Sequence, residues 1–206
     1  YNQLIYTHQK DSLFLNLFIA SALNWRAKGI VLKQETKFPE EEQTKLSITE
    51  GKARFTLMIR YPSWVQPGAL QIKVNNKPIA YTPSASGYVA VNRSWKKGDV
   101  VQIVLPMRNT VEHLANVPEY IALMHGPILL GANTGTEGLK GLISDDSRWG
   151  HIASGERLPI DKAPIIIEDA VDAIGKKLVP INGKPLSFTA TNIEMLNSSN
   201  WVWVRV

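Results

Sequence analysis

The chain has 206 residues, of which 44% are hydrophobic and 20% are charged, so its composition is that of a folded protein and excludes a disordered one. No apolar run reaches the roughly 20 residues that a membrane-spanning helix needs, and the absence of cysteine excludes disulfides and thiolate nucleophiles. The net charge of +5 divides unevenly: residues 1–110 carry 15 basic and 7 acidic side chains (+8), and residues 111–206 carry 8 and 11 (−3).

The N-terminal segment predicts a central strand but no leader sequence. The chain begins at Tyr1 without methionine and without a positively charged stretch before an apolar one, so we expect a fragment or a processed chain without a signal peptide. Residues 13–19 are apolar at odd and even positions alike. A strand that is covered on both faces needs this pattern.

The next segments alternate between apolar and polar residues with a period of two. Consecutive side chains of a strand leave opposite faces of a sheet, so this alternation predicts half-buried antiparallel strands. It occurs in residues 30–38, 54–61, 70–74 and 101–105. Proline, glycine and asparagine residues lie between these segments at short intervals and predict turns. The fold class predicted for this part is all-β, an antiparallel, jelly-roll-like β-sandwich.

A second domain is predicted in the C-terminal third. Residues 131–138 are rich in glycine and threonine and lack apolar periodicity, as linkers do. We therefore expect a sandwich in residues 1–131, a linker in 132–138 and a smaller β-rich domain in 139–206. Strands are expected at residues 165–167, 186–190 and 201–206, and a turn or short helix at 168–177. The last strand looks unfinished, so this domain is expected to be incomplete.

One short sequence occurs twice. Residues 74–79 (VNNKPI) are echoed by residues 181–186 (INGKPL). Asn-Asn and Asn-Gly tolerate the positive φ angles of a two-residue hairpin turn. Shared turn chemistry is the favoured explanation, and a duplicated sandwich is the alternative.

The basic residues of the first half are scattered singly along the alternating strands. Runs of three or more do not occur. This pattern favours solvated faces over a polyanion site, so neither nucleic acid nor a membrane is expected as a partner.

Catalytic and metal-binding motifs are not found in the sequence. No serine lies in a Gly-x-Ser-x-Gly elbow, and no phosphate-binding glycine loop or histidine-pair metal motif occurs. Residues 145–147 (DDS) offer oxygen ligands but lack a calcium-loop pattern. His125, at a predicted strand end, is interpreted as a structural or rim histidine. Four acidic residues are candidates for a carboxylate pair, although nothing in the sequence shows that two converge: Glu112, Glu119, Asp145 and Asp146.

Tryptophan offers the best signal for sugar binding, because indole faces stack on the C–H faces of sugars. Trp64 and Trp95 lie in predicted turns, where a plug at the end of the sandwich is favoured over a sugar platform. The candidate substrate-binding residues are therefore Trp64, Trp95 and His125, and we predict no catalytic and no metal-binding residues.

Four segments in this order resemble the region that follows the catalytic barrel in glycoside hydrolase family 127 and its β-L-arabinofuranosidase-like relatives. Each is weak alone, and together they span residues 1–131. The segments are residues 4–7 with 12–19 (LIYT, SLFLNLFI), 59–64 (IRYPSW), 87–107 (GYVAVNRSWKKGD leading to LPM) and 121–128 (IALMHGPI).

The resemblance implies an (α/α)6 barrel with the active site, followed by β-sandwich domains. In that family a cysteine nucleophile near a zinc ion with cysteine and glutamate ligands, and a glutamate acid/base, perform the reaction. This chain lacks cysteine, so we expect no zinc or other cofactor in it and no activity from it alone. The expected function is that of an accessory region of a glycoside hydrolase that acts on plant or microbial glycans.

The expected partners are the catalytic barrel, a glycan, or a second copy in a homodimer, and the expected location is periplasmic or secreted. Two alternatives remain open from the residues: a free-standing carbohydrate-binding module, and a structural or adhesive domain that binds a protein.

Overall fold

The computed structural model describes residues 2–132 and 165–196, together with the backbone of residues 202–205. The chain divides into two compact units, which we call unit 1 (Tyr1–Arg108) and unit 2 (Asn109–Val206). No helix in the described part of the chain is long and apolar enough to span a membrane.

The regular secondary structure of unit 1 consists almost entirely of strands. Besides them it has a short helix, α1 (Asn2–Ile5), and a 3-10 turn (Arg26–Lys28). The strands are β1 (Tyr6–Gln9), β2 (Ser12–Leu15), β3 (Ser21–Trp25), β4 (Ile30–Thr36), β5 (Gln43–Glu50), β6 (Lys52–Arg60), β7 (Gln71–Val74), β8 (Lys77–Pro78), β9 (Tyr88–Lys96) and β10 (Val100–Val104).

Two sheets of unit 1 face each other across one apolar core. Sheet one has the order β1-β2-β6-β9, and sheet two the order β3-β4-β5-β10-β7-β8. All pairs are antiparallel except β2–β6, which is parallel. The buried residues of both sheets form a single cluster, which includes Leu57 from sheet one and Ile103 from sheet two. The predicted all-β sandwich is confirmed.

The alternation predicted from the sequence sets which side chains enter this core. Along β6, Phe55, Leu57 and Ile59 are buried, and the residues between them are not. The prediction for residues 13–19 is wrong in its length, because β2 ends at Leu15. Beyond it, the carbonyl groups of residues 17 and 19 accept hydrogen bonds from the Gln34 side-chain amide rather than from a neighbouring strand.

Unit 2 has a six-stranded sheet and a two-stranded ribbon. The larger sheet has the order β11-β12-β13-β18-β16-β15, and the ribbon consists of β14 and β17. A 3-10 turn (Val171–Ala173) leads into α2 (Ile174–Lys177), in agreement with the short helix expected there. The strands are β11 (Asn109–Leu114), β12 (Val117–His125), β13 (Ile128–Ala132), β14 (Ile165–Ile167), β15 (Leu178–Pro180), β16 (Ser187–Ala190), β17 (Glu194–Leu196) and β18 (Val202–Arg205).

The division between the units lies at Arg108/Asn109, not after residue 131 as the sequence suggested. Strands β11 to β13 follow unit 1 directly along the chain, but β13 pairs with β18 near the C-terminus. Strand partners, which local patterning does not specify, therefore assign residues 109–132 to unit 2. Of the expected linker, Ala132 ends β13, and residues 133–138 lie outside the described part of the chain.

The repeated sequence forms two different loops. Asn75 and Asn76 both have positive φ angles, 50° and 65°, and make the two-residue turn between β7 and β8. In the second copy Pro180 pairs with Phe188, so the loop between β15 and β16 is longer, with Gly183 at a φ of 75°. This difference favours shared turn chemistry over duplication.

Candidate functional site

Trp64 lies in the loop after β6, where it helps to close one end of the sandwich. Its half-buried ring stacks on Phe38 with 6.0 Å between ring centroids, and Phe38 contacts Phe18 edge-on at 5.9 Å. The Tyr61 hydroxyl holds the loop, because it donates to the Gln66 carbonyl and accepts from the Gly68 amide. One face of the Trp64 ring is thus covered by Phe38 within unit 1, which agrees with the interpretation of Trp64 as a plug at the end of the sandwich.

Trp95 lies on β9 rather than in a turn, and it has no exposed surface. Its ring stacks on Phe55 with 5.6 Å between centroids, and its indole N–H donates to the Phe55 carbonyl at 3.1 Å. Because the ring is enclosed by the core, it offers no face to a ligand. The structure therefore removes Trp95 from the candidate sugar-binding residues.

His125 ends β12 in unit 2 and is half-buried. Its Nδ1 lies 2.8 Å from Oδ1 of Asn109, whose amide nitrogen donates to the Leu178 carbonyl. The amide oxygen of Asn109 must therefore accept, so Nδ1 of His125 carries the proton. With its ring 4.9 Å from that of Phe188, His125 braces β12 against β15 and β16. Trp64 and Trp95 belong to unit 1 and His125 to unit 2, so they lie in different units.

The carboxylate candidates divide between exposed positions and positions outside the described part of the chain. Glu112 on β11 and Glu119 on β12 are exposed to solvent. Asp145 and Asp146 lie outside the described residues. Among the described residues, no group of three or more histidine, aspartate or glutamate side chains is placed to hold a metal ion. The chain also has no cysteine, so it does not offer the thiolate ligands of the zinc site that the resemblance implies.

A buried carboxylate organises the turn between β9 and β10. Asp99 is 2% exposed, and it accepts hydrogen bonds from the Asn75 side chain at 2.8 Å and the Lys96 amide at 3.0 Å. The Arg93 guanidinium lies 3.6 Å away. Burial raises the pKa of Asp99, but these hydrogen bonds and the charge of Arg93 outweigh it and hold the pKa below its usual value. Asp99 thus ties this turn to the β7–β8 hairpin.

His113 makes two hydrogen bonds that only a protonated imidazole can make together. Its Nδ1 lies 2.7 Å from the Pro118 carbonyl, and its Nε2 lies 3.0 Å from a carboxylate oxygen of Asp172. Both partners accept, so both ring nitrogens must donate. The Pro118 carbonyl first, and then Asp172, raises the pKa of His113. In its protonated form, the His113 ring connects the β11–β12 hairpin to the 3-10 turn before α2.

Unit 2 exposes many large apolar side chains. On the β14–β17 ribbon, Ile165 and Leu196 pair directly across the strands and are 42% and 48% exposed, and Ile167 lies on the same face. The hairpin of β11 and β12 adds Leu114, Val117 and Tyr120. These side chains give the described part of unit 2 more exposed apolar surface than unit 1 has.

Two of these arrangements have no signal in the sequence. Asn75 and Asp99 are 24 residues apart, and His113 and Asp172 are 59 apart. Neither spacing belongs to a local motif. The segment Lys97-Gly98-Asp99 signalled a turn, but not that its carboxylate would be buried.

Comparison with family models finds two matches that follow one another along the chain. Residues 12–107 match the model described as beta-L-arabinofuranosidase, GH127 middle domain. Residues 110–203 match a domain of unknown function, DUF4986. The junction between the two matches falls beside the division between units 1 and 2. None of the curated proteins compared with the chain matches it.

Solved structures show the same fold. A GH127 β-arabinofuranosidase matches 98% of this chain with a TM-score of 0.63 and 21% identity, and 33% of its own length is covered. A protein titled glycoside hydrolase matches 97% of the chain (TM-score 0.57, 22% identity, 33% of its length). A GH127 β-L-arabinofuranosidase from Geobacillus stearothermophilus T6 matches 98% (TM-score 0.57, 18% identity, 34% of its length). The chain spans about a third of the length of these structures.

Proposed function

We propose that this chain, whose residues 12–107 match the GH127 middle domain and whose residues 110–203 match DUF4986, is a non-catalytic accessory part of a glycoside hydrolase. The observation that carries the proposal is the ordered match of both models over nearly the whole chain, combined with coverage of only a third of the solved relatives. Its role is to support the catalytic part and to help present a plant or microbial glycan.

The apolar surface of unit 2 supports a docking role. The solved relatives are about three times as long as this chain, so a polypeptide of their kind has two thirds of its length elsewhere. We propose that the catalytic (α/α)6 barrel of that polypeptide covers the face with Ile165, Ile167 and Leu196. Burial of apolar area at about 25 cal/mol per Å² would stabilise the contact.

The remaining parts of the proposal concern chemistry and location. The zinc ion and the cysteine nucleophile that the resemblance implies would belong to the barrel, because this chain contains no cysteine. We further propose a periplasmic or secreted location and a homodimer as the assembly. A free-standing carbohydrate-binding module is less well supported, because Trp25 and Trp95 are buried and Trp64 is half-buried.

The first test is hydrolysis of an aryl β-L-arabinofuranoside by the isolated chain. We expect no release of the aryl group above the rate in buffer. The positive control is a GH127 β-L-arabinofuranosidase assayed in parallel. Hydrolysis by the isolated chain would place the active site within these 206 residues and overturn the proposal.

The second test is the coding sequence immediately upstream of the codon for Tyr1. We expect it to encode a barrel with closely spaced cysteines. An upstream segment without closely spaced cysteines would contradict the proposed link to a GH127-type barrel, even if the isolated chain shows no hydrolysis.

A further inference from the structure

The outer face of sheet one carries basic side chains and no carboxylate. The register pairs Arg54 with Ser94, Thr56 with Asn92 and Arg60 with Tyr88, so these residues share the face that points away from the core. The neighbouring strands add Thr7 and Gln9 from β1, and Ser12 and Phe14 from β2. The four basic residues of this face are Lys52, Arg54, Arg60 and Lys96.

These four cations are exposed, and none makes an ion pair within the part of the chain that the structure describes. The charge of Lys96 contributes to lowering the pKa of the buried Asp99, although the two side chains form no ion pair. Sheet two behaves differently, since Lys33 and Lys45 flank Glu35 at 2.9 and 3.6 Å. Sheet two also carries exposed lysines outside these ion pairs, Lys73 and Lys77, but its outer face includes the carboxylate of Glu35, whereas the charged residues on the outer face of sheet one are all basic.

One pair of these cations is placed at a cost to the fold. Lys52 and Lys96 are direct register partners on adjacent strands. Like charges in this position repel and destabilise a sheet. A bound anion would relieve the repulsion.

The spacing of the cations indicates what kind of anion fits. Arg54 and Arg60 are six residues apart on β6, which is about 20 Å along a strand. One small anion cannot contact both. The partner must therefore be an extended chain that carries negative charges at intervals.

The centre of the face suits a sugar chain. Phe14 and Tyr88 contact edge-on with 5.2 Å between centroids, and Phe14 lies beside Met58 in the register. Around this apolar patch lie side chains that hydrogen-bond with one another, Asn92 with Thr56 at 3.0 Å and Tyr88 with Asn16 at 2.8 Å. Apolar surface next to amide and hydroxyl groups matches the C–H faces and hydroxyls of a sugar.

Nucleic acid fits less well. A duplex carries about one charge per 1.7 Å of its axis, and its binding sites gather several cations in close array. Four cations spread over a nine-residue strand and its neighbour are too sparse for that density. A sugar chain with one carboxylate per residue is less densely charged.

We propose that the outer face of sheet one binds a carboxylated polysaccharide, with the four cations contacting carboxylates and the Phe14–Met58–Tyr88 patch contacting sugar rings. This inference rests on the proposed function for its choice of a glycan as the polyanion. It goes beyond the sequence interpretation, which assigned these cations to solvated faces.

The test is binding of the 206-residue chain to polygalacturonate, measured by affinity electrophoresis and by calorimetry with galacturonate oligomers. We expect saturable binding that weakens as salt rises, and no binding to neutral arabinan. The double variant Arg54→Gln/Arg60→Gln should bind about tenfold more weakly, a loss of about 1.4 kcal/mol.

The matched control is Lys73→Gln/Lys77→Gln. It removes the same net charge from exposed positions on β7 and β8 of sheet two. We expect it to bind like the original chain. The single variant Lys52→Gln provides a second measurement if the double variant unfolds.

Three results would overturn the proposal: no binding to polygalacturonate, equal weakening by both double variants, or tighter binding to polyuridylate RNA than to polygalacturonate. The first two leave no role for this face, and the third assigns it to nucleic acid. None of them bears on the proposed function, which the hydrolysis assay and the upstream sequence decide.

Discussion

Units 1 and 2 differ in where they place their large apolar side chains. Among the described residues, unit 1 exposes only Leu4 and Ile19 strongly, while most of its other large apolar residues belong to or pack on one core. Unit 2 exposes eight such residues among those described: Leu114, Val117, Tyr120, Leu129, Ile165, Ile167, Val179 and Leu196. Unit 1 thus buries most of its large apolar side chains in its own core, whereas unit 2 leaves these eight exposed.

A similar contrast between buried and exposed apolar residues occurs within a single strand of unit 2. On β13, Leu129 is 46% exposed and Leu130 is 3% exposed. The two residues are neighbours of the same type on opposite faces of one strand. Their different exposure is therefore due to the face of the strand on which each side chain lies, and not to residue type.

The largest effect is expected in the core of unit 1. Trp95→Ala removes a fully buried ring and its hydrogen bond to Phe55. We expect the free energy of unfolding to fall by about 3–5 kcal/mol. Denaturant unfolding measures this loss, and hydrogen exchange should show it in peptides from residues 1–108. The half-buried Trp64→Ala is the control and should cost clearly less. Equal costs would contradict the placement of Trp95 at the centre of the core.

The next effect tests the contrast within β13. Leu130→Ala removes a buried side chain of unit 2 and should lower the free energy of unfolding by about 2–4 kcal/mol. Its control, Leu129→Ala, should change it by less than about 0.5 kcal/mol. Thermal unfolding of the two variants side by side measures the difference. A large loss for Leu129→Ala would show that this face is covered within the chain itself.

A smaller effect is expected from the buried carboxylate of unit 1. Asp99→Asn replaces one of the two accepting carboxylate oxygens by an NH₂ group, which can only donate. The Asn75 amide and the Lys96 N–H are both donors, so one of these hydrogen bonds is lost. We expect a cost of about 1–3 kcal/mol at pH 7, measured by denaturant unfolding. The control is Asp11→Asn, which breaks the exposed ion pair with Lys28 and should cost less than about 1 kcal/mol.

The same variant makes a prediction about pH. The pKa of Asp99 is lower in the folded chain than its ordinary value of about 3.9. The charged form therefore stabilises the fold above the ordinary pKa, and this contribution is lost as the pH falls through the folded-state pKa. The difference between the original chain and Asp99→Asn should shrink below pH 4. A difference that is constant with pH would contradict the role of the charge.

The local sequence pattern was sufficient to predict the sandwich of unit 1, but not which strands pair with one another in unit 2. The alternation of Phe55, Leu57 and Ile59 predicted which face of β6 is buried, because each strand reports its own two environments. The pairing of β13 with β18 joins residues more than 70 positions apart, and nothing within either strand specifies it. The same limit applies to the outer face of sheet one. Arg54 and Arg60 were correctly placed away from the core, but the absence of carboxylates opposite them depends on the register of β2 and β9.

The smallest expected effect concerns His113, whose protonated ring connects the exposed hairpin of unit 2 to Asp172. The Pro118 carbonyl and then the Asp172 carboxylate raise the pKa of His113 above its ordinary value of about 6.5. The folded chain therefore binds this proton more tightly than the unfolded chain. The contribution to stability is complete below the ordinary pKa and is lost as the pH rises through the folded-state pKa.

In Asp172→Asn, an NMR titration of His113 should give a lower pKa than in the original chain, but one still above the ordinary value, because the larger contribution of Pro118 remains. Asp169→Asn removes a nearby charge outside this contact and serves as the control. If Asp172→Asn leaves the pKa of His113 unchanged, then the Asp172 carboxylate does not interact with the ring, and this contact does not connect the β11–β12 hairpin to the turn before α2.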